Sequence, residues 1–235
     1  VSDLEPPAIR FPDPITAARG LAERIAAALA AAVAARGHAS LVVSGGKSPV
    51  GVFENLRTLP LEWRRVSISL ADERWVPVTD AASNEQLVRE HLLKGAAASA
   101  TFAGLKTAAA TPELGAAEAW SRVAALPRPF DVVILGMGDD GHTASLFPGS
   151  PQLVLALDAA APPGCIGMVS PTAPEARLSL NLSALLDSRQ MFLFLSGTSK
   201  WKVYAAASGP GPMEAMPVRA VLRQRRTPLE VIWSP

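Results

Sequence analysis

Short unbroken apolar runs alternate along this chain with longer alanine-rich or polar-capped stretches, a pattern that predicts strands alternating with helices. Asp13-Pro14 reads as a helix N-cap followed by proline at the first helical position. The helix it opens should run to about Ala35, with Gly37 as its stop. Ser40 to Val43 is a short buried strand, and the Ser44 to Pro49 loop leads into a helix starting at Pro49. Val66 to Leu70 is the next strand. Ser83-Asn84-Glu85-Gln86 forms a capping box opening a helix through Leu93, and Thr111-Pro112 opens another to about Ala125. Phe130 to Leu135 is the clearest strand, an apolar run ending in glycines. Further strands are expected at Ile166 to Val169, Leu178 to Leu182, Met191 to Leu195 and Leu229 to Trp233, with a helix after Ser199.

This order predicts an α/β fold: an open, mainly parallel sheet flanked by helices. Strands without polar alternation are covered on both faces. No internal repeat is visible. The Ala-, Pro- and Gly-rich segment from Leu153 to Pro174 reads as a long excursion rather than a linker, so the chain reads as one domain, 1–235, with a modest subregion.

Composition narrows the function classes. Of the 235 residues, 49% are hydrophobic and 18% charged, which excludes general disorder. Twenty-two Lys+Arg against 21 Asp+Glu leave +1, so the clear basic excess of a nucleic-acid binder is missing. The longest apolar run, Ile25 to Ala35, is too short for a bilayer span of roughly 20 residues. Asp3 and Glu5 near the start argue against a secretory signal. The single cysteine, Cys165, allows no intrachain disulfide and fits a reducing cytoplasm.

In open α/β sheets ligands bind beyond the carboxyl ends of the strands, and two strand-end loops are glycine-rich. Gly46-Lys47-Ser48 is not a P-loop: the first glycine of that motif would fall at Leu41, inside a strand. Gly45 and Gly46 still allow backbone N–H groups to approach an anion ahead of a helix, and a plain strand-to-helix turn is the competing reading. Gly136-Met137-Gly138-Asp139-Asp140-Gly141 matches the dinucleotide fingerprint literally. Asp139 and Asp140, however, would place negative charge against a pyrophosphate, and Pro148-Gly149 breaks the long helix that fold requires.

Of the three histidines, His38 falls in a turn and His91 in a helix, where surface roles are the default. His142 follows Asp140-Gly141 at the end of the best strand, where it can reach a ligand and be oriented by a carboxylate. Asp72-Glu73-Arg74 follows the second strand, Arg177 precedes a strand and Lys200 starts a helix; each alone would pass for a solvated charge. There is no G-x-S-x-G elbow, and the histidine and cysteine spacing offers no metal site.

Together these segments resemble the 6-phosphogluconolactonase family, within the glucosamine/galactosamine-6-phosphate isomerase superfamily. The resemblance rests on Ser44-Gly45-Gly46-Lys47-Ser48-Pro49, on Asp72-Glu73-Arg74-Trp75-Val76-Pro77, on Ser83-Asn84, and above all on Leu135 through Pro148 with its Gly-His-Thr-Ala-Ser-Leu-Phe-Pro run. Arg177-Leu178-Ser179-Leu180 and Gly197-Thr198-Ser199-Lys200 extend it, so it covers about Val42 to Lys202. The related deaminases usually have tyrosine where Arg74 stands and a glutamate shortly after the histidine, which this chain lacks. Lys47 departs from the family's usual serine or threonine.

The resemblance implies a sugar-phosphate isomerase type of fold and hydrolysis of 6-phospho-D-glucono-1,5-lactone in the oxidative pentose phosphate pathway, without cofactor or metal. His142 would be the base that activates water, and Asp140 would orient it. Ser44, Gly45, Gly46, Lys47 and Ser48, with Arg177 and Lys200, would hold the phosphate; Arg74 would close over the ligand, and Asp72 and Gly141 would complete the substrate site. The implied partner is the small-molecule substrate, with no nucleic acid or membrane, in a cytoplasmic monomer or small homo-oligomer. A deaminase or isomerase of the same fold, and a non-catalytic sugar-phosphate-binding module, are the alternatives.

Overall fold

The computed structural model describes residues 6–171 and 174–235. The charges at Asp3 and Glu5, and two residues of the Leu153 to Pro174 excursion, lie outside them. In chain order the elements are β1 (Ile9–Arg10), α1 (Pro14–Arg36), β2 (Ala39–Val43), α2 (Val50–Leu56), β3 (Val66–Leu70), β4 (Asp72–Arg74), α3 (Asn84–His91), β5 (Thr101–Ala103), α4 (Pro112–Ala124) and β6 (Val132–Leu135). They continue as α5 (Leu153–Ala156), β7 (Cys165–Met168), β8 (Arg177–Leu180), α6 (Leu182–Leu186), β9 (Met191–Ser196), α7 (Thr198–Ser208), α8 (Val218–Arg223) and β10 (Leu229–Ser234).

Seven strands form a wholly parallel sheet in the order β1-β10-β9-β6-β2-β3-β5. The chain enters this sheet's centre at β2 and winds outward through β3 and β5. It then returns to the other side of β2 at β6 and winds outward through β9 and β10. The direction reverses between β2 and β6, so a crevice must open beyond their carboxyl ends, where the two connections leave in opposite directions.

The expected signals act where they were read. The Asp13 side chain accepts the Thr16 N–H at 2.8 Å, and Gly37 ends α1 in the left-handed region with φ 78°. Ser83 caps α3 and Thr111 caps α4. Every residue of β2 and of β6 is buried, as continuous apolar runs require. Leu21, Ile25 and Leu29 of α1 are fully buried in the same core as Leu41 of β2. Each such side chain contributes about 1.5–3 kcal/mol by leaving water. Below the sheet's amino ends, buried Asp131 accepts the Ser40 N–H at 2.9 Å and pairs with Arg36, tying β6 to β2 and α1.

Four expectations change, the first being that the strand expected over Phe130 to Leu135 begins only at Val132. The charges of Asp72-Glu73-Arg74, which alone would pass for solvated, lie on β4, which joins β7 and β8 in a separate antiparallel sheet ordered β4-β8-β7. The strand expected over Leu178 to Leu182 stops at Leu180, because Asn181 caps α6 through the Ala184 N–H. The helix expected through Leu93 ends at His91.

Candidate active site

A cleft of about 330 Å³ opens at the predicted crevice, between the loops that follow β2 and β6 and the segment leading from β9 into α7. The small antiparallel sheet contributes its side through Asp72, Arg74 and Arg177. All ten residues Ser44, Gly45, Gly46, Lys47, Ser48, Asp72, Arg74, His142, Arg177 and Lys200 line it. Asp140 and Gly141 do not: Asp140 stands behind the His142 ring, and Gly141 turns its back on the cleft toward Met216.

The loop after β2 leaves its backbone donors open. Gly46 has φ +91°, and the N–H groups of Gly45, Gly46, Lys47 and Ser48 find no protein acceptor among the described residues. Successive backbone N–H groups freed in this way form a concavity of positive potential. Gly45 must be glycine for another reason: a Cβ there would collide with the Asn84 side chain. Asn84 begins α3, is buried, and donates from Nδ2 to the Asp72 carbonyl at 2.8 Å.

What places Asn84 is Glu73. Its carboxylate is fully buried and accepts from the N–H groups of Arg74 (2.7 Å), Asn84 (2.7 Å) and Glu85 (2.8 Å) and from Ser83 Oγ (3.0 Å). Burial pushes its pKa up, and these donors pull it only part of the way back. Glu73 is thus the internal cap of α3. Its neighbour Asp72 faces the cleft and accepts from Ser145 Oγ at 2.5 Å.

Arg74 and Arg177 are register partners across β4 and β8, two like charges side by side. Arg74 donates to the Ala82 carbonyl at 2.6 Å, and Arg177 lies 3.6 Å from Glu175. Both Nε atoms are buried and find no acceptor among the described residues. Burial first, and then the Arg74 charge, push the Arg177 pKa down against the pull of Asp72, Glu175 and Glu73. Like charges directly opposed in a sheet are unfavourable, and an anion between them relieves the pair. Lys200, near the start of α7, contributes a further cation but is engaged, 2.8 Å from Asp139.

His142 sits at the cleft's edge with Nδ1 2.5 Å from Asp140 Oδ1, while its own backbone N–H donates to that oxygen at 3.0 Å. Partial burial pushes the Asp140 pKa up, but the ring hydrogen bond, the backbone N–H and the imidazole charge together hold it below its ordinary value. With Nδ1–H given to the carboxylate, Nε2 is the nitrogen left with a lone pair. Phe147 packs on the ring with centroids 4.6 Å apart. Gly138 admits the imidazole, since a Cβ there would overlap Nδ1 and Cε1.

Asn84, Phe147 and Ser170 also line the cleft without having been singled out as site residues. Asn84 and Phe147 stand inside the quoted motifs, whereas Ser170 lies in the low-information excursion, where no local signal marks it. Half-buried Cys165 is outside the cleft, and desolvation pushes its thiol up to about 12, unsuited to a nucleophile. Among the described residues no three His, Cys, Asp or Glu side chains gather as a metal site, and no helix is long and apolar enough to cross a membrane.

The family model described as glucosamine-6-phosphate isomerases/6-phosphogluconolactonase matches residues 12–233. A 6-phosphogluconolactonase of Rhizobium meliloti is 46% identical over 225 residues, covering 96% of this chain and 97% of that protein. One from Pseudomonas aeruginosa is 49% identical over 218 residues, covering 93% and 90%. The crystal structure of a 6-phosphogluconolactonase from Shewanella baltica superposes with a TM-score of 0.94 at 47% identity, covering 99% of this chain and all of that one. A monomeric glucosamine-6-phosphate deaminase shares the fold at 16% identity and TM-score 0.78.

Proposed function

Because the chain belongs to the glucosamine-6-phosphate isomerase/6-phosphogluconolactonase family, we propose that it hydrolyses 6-phospho-D-glucono-1,5-lactone to 6-phospho-D-gluconate. This is the lactone-opening step of the oxidative pentose phosphate pathway. The observation that carries the chemistry is the Asp140–His142 pair at 2.5 Å on the rim of a cationic cleft. Nε2 of His142 takes a proton from a water as that water attacks C1 of the lactone. Asp140 fixes the tautomer and steadies the imidazolium that forms. The C1–O5 bond then breaks, and the imidazolium returns its proton to the departing ring oxygen. A lactone is an activated ester, so general-base help of about 10²–10⁴ is enough without a covalent nucleophile.

The phosphate sits against the open N–H groups of Gly45 to Ser48, with Lys47, Arg177 and Lys200 supplying charge and Arg74 closing over the sugar. Backbone N–H groups of the glycine loops that the phosphate leaves free would serve the oxyanion at C1. The chain would act as one domain spanning 1–235, as a monomer or a small homo-oligomer. The near-zero net charge fits a chain without nucleic-acid partners, and the single cysteine fits a reducing cytoplasm.

The test is an assay on freshly generated lactone, corrected for spontaneous opening, with glucosamine 6-phosphate as the competing substrate. Lactone turnover that falls about 10²-fold or more in His142→Ala supports the reading. Ammonia release from glucosamine 6-phosphate, or wild-type lactone turnover in that variant, overturns it.

A further inference from the structure

The imidazole of His142 fills the front of the turn Gly138–His142, but what holds that turn from behind belongs to another part of the chain. Gly138 N–H donates to the His142 carbonyl at 2.8 Å, Gly141 N–H donates to the Gly138 carbonyl at 3.1 Å, and Gly141 lies at φ +79°. The turn is closed on itself, and its outer wall is the Cα of Gly141. Met216 lies on that wall: a Cβ added to Gly141 would stand 2.9–3.1 Å from the Met216 Cβ, Cγ and Cε atoms. Val218 N–H donates to the Gly141 carbonyl at 2.9 Å, so the backbone is pinned where the side chain presses.

Met216 lies next to last in a Gly- and Pro-rich strap, residues 209–217, that joins α7 to α8. Such a strap has little order of its own. Arg219 gives it one. Arg219 is 7% exposed and spends its guanidinium on four backbone carbonyls: Nε on Ala207 (3.3 Å), Nη1 on Pro212 (3.0 Å), and Nη2 on Ala206 (3.1 Å) and Pro210 (3.0 Å). Two of those oxygens belong to the last turn of α7, where helix carbonyls lack internal partners and carry partial negative charge. Gly211, at φ +135°, lets the strap wrap closely, since a Cβ there would press into the guanidinium. The Arg219 N–H also donates to the Met216 carbonyl at 2.9 Å.

We propose that Met216 and Arg219 are positioning residues for the reaction: Arg219 folds the 209–217 strap into a rigid brace, and Met216 presses that brace against Gly141 to hold His142 in line with the lactone. Neither residue lines the cleft, so neither touches substrate. The inference rests on the lactonase reading with His142 as base. A displacement of about 1 Å at the base is enough for a loss of about 10²-fold in turnover, whereas the Gly45–Ser48 loop and Arg177, assigned to the phosphate, belong to other elements and keep their places.

The experiment compares Met216→Ala, Met216→Leu and Arg219→Lys in the full chain, with kcat and KM on fresh lactone. Met216→Ala should lower kcat about ten- to a hundredfold with KM within about twofold, and Met216→Leu, which refills the space, should recover to within about threefold of wild type. Arg219→Lys keeps the charge but not the fork and should show the same split. In a His142→Ala background Met216→Ala should cost nothing more, because the group it positions is gone. An unchanged kcat in Met216→Ala, losses shared equally by kcat and KM, or a further loss on top of His142→Ala would overturn the brace. Should Arg219→Lys fail to fold, the half-buried Met216 pair still decides. Failure of the lactonase reading looks different: the wild-type chain itself would open no lactone, or His142→Ala would turn over normally.

Discussion

Gly138→Ala isolates the geometry of the base from its chemistry. Gly138 is not among the residues with positive φ, so alanine is permitted by the backbone. The new methyl would overlap His142 Nδ1 and Cε1 and come within 2.6 Å of Asp140 Oδ1, where ordinary contact begins near 3.4 Å. The imidazole and its carboxylate must therefore move together by about 1 Å, and a shift of that size costs about 10² in rate. In barrier terms that is about 2.7 kcal/mol. Stability should scarcely suffer. The His142 and Asp140 side chains stand at the cleft rim, 30% and 40% exposed, with room to yield, and replacing glycine by alanine lowers the entropy of the unfolded chain by about 0.4–1 kcal/mol. The assay is kcat on fresh lactone beside a thermal melt, repeated in His142→Ala. If the methyl acts through the imidazole, the double variant is no slower than His142→Ala alone. Near-normal turnover in Gly138→Ala, or additive losses in the pair, would refute the placement of His142 as base.

Lys200→Ala and Arg177→Ala should each raise KM for the phosphorylated lactone roughly ten- to a hundredfold and leave unphosphorylated gluconolactone nearly unchanged; equal losses on both substrates would assign them to fold or chemistry instead. Arg177→Met should bind phosphate poorly yet melt no lower than wild type, because it relieves the like-charge pairing with Arg74; a clear drop in midpoint counts against the repulsion argument. Glu73→Gln sets an amide NH₂ against helix N–H donors and should cost about 1–3 kcal/mol for each donor left without an acceptor, read by urea denaturation. An unchanged midpoint there would show that Glu73 does not cap α3. Asp140 is held below its ordinary 3.8, so its contribution to stability is present above that value and disappears as pH falls through the lowered one. The stability gap between Asp140→Asn and wild type should therefore close in strong acid, and a gap independent of pH sinks the argument.

The local chemistry of the chain was sufficient for most elements. Asp13 before Pro14, Ser83 before Asn84, Thr111 before Pro112 and Gly37 after α1 act through backbone groups within four residues, so their meaning does not depend on the rest of the fold. The same is true of unbroken apolar runs such as Val132 to Leu135, which can only be buried on both faces. Asn181 is the instructive exception. Its capping signal for α6 stands in the sequence, but the apolar residues on either side of it let the run pass for one longer strand.

The site was legible as a set of residues because parallel strands deliver their carboxyl ends to one edge, so the loops after β2 and β6 had to meet at the reversal between them. What each charged side chain does there depends on partners far along the chain. Glu73 looks like its neighbours Asp72 and Arg74 in sequence, yet only the arrival of α3 eleven residues later makes it an internal cap rather than a solvated charge. Arg74 and Arg177 become a strained pair only once β4 and β8 align, and Lys200 acquires Asp139 only when α7 is set beside the loop after β6. Met216 and Arg219 carry no local mark at all, since their effect on His142 passes through contacts made some 75 residues away in sequence. Backbone capping and burial periodicity are short-range, so the amino-acid order alone determines them; charge pairing, desolvation and bracing are properties of surfaces brought together, and only the tertiary structure decides them.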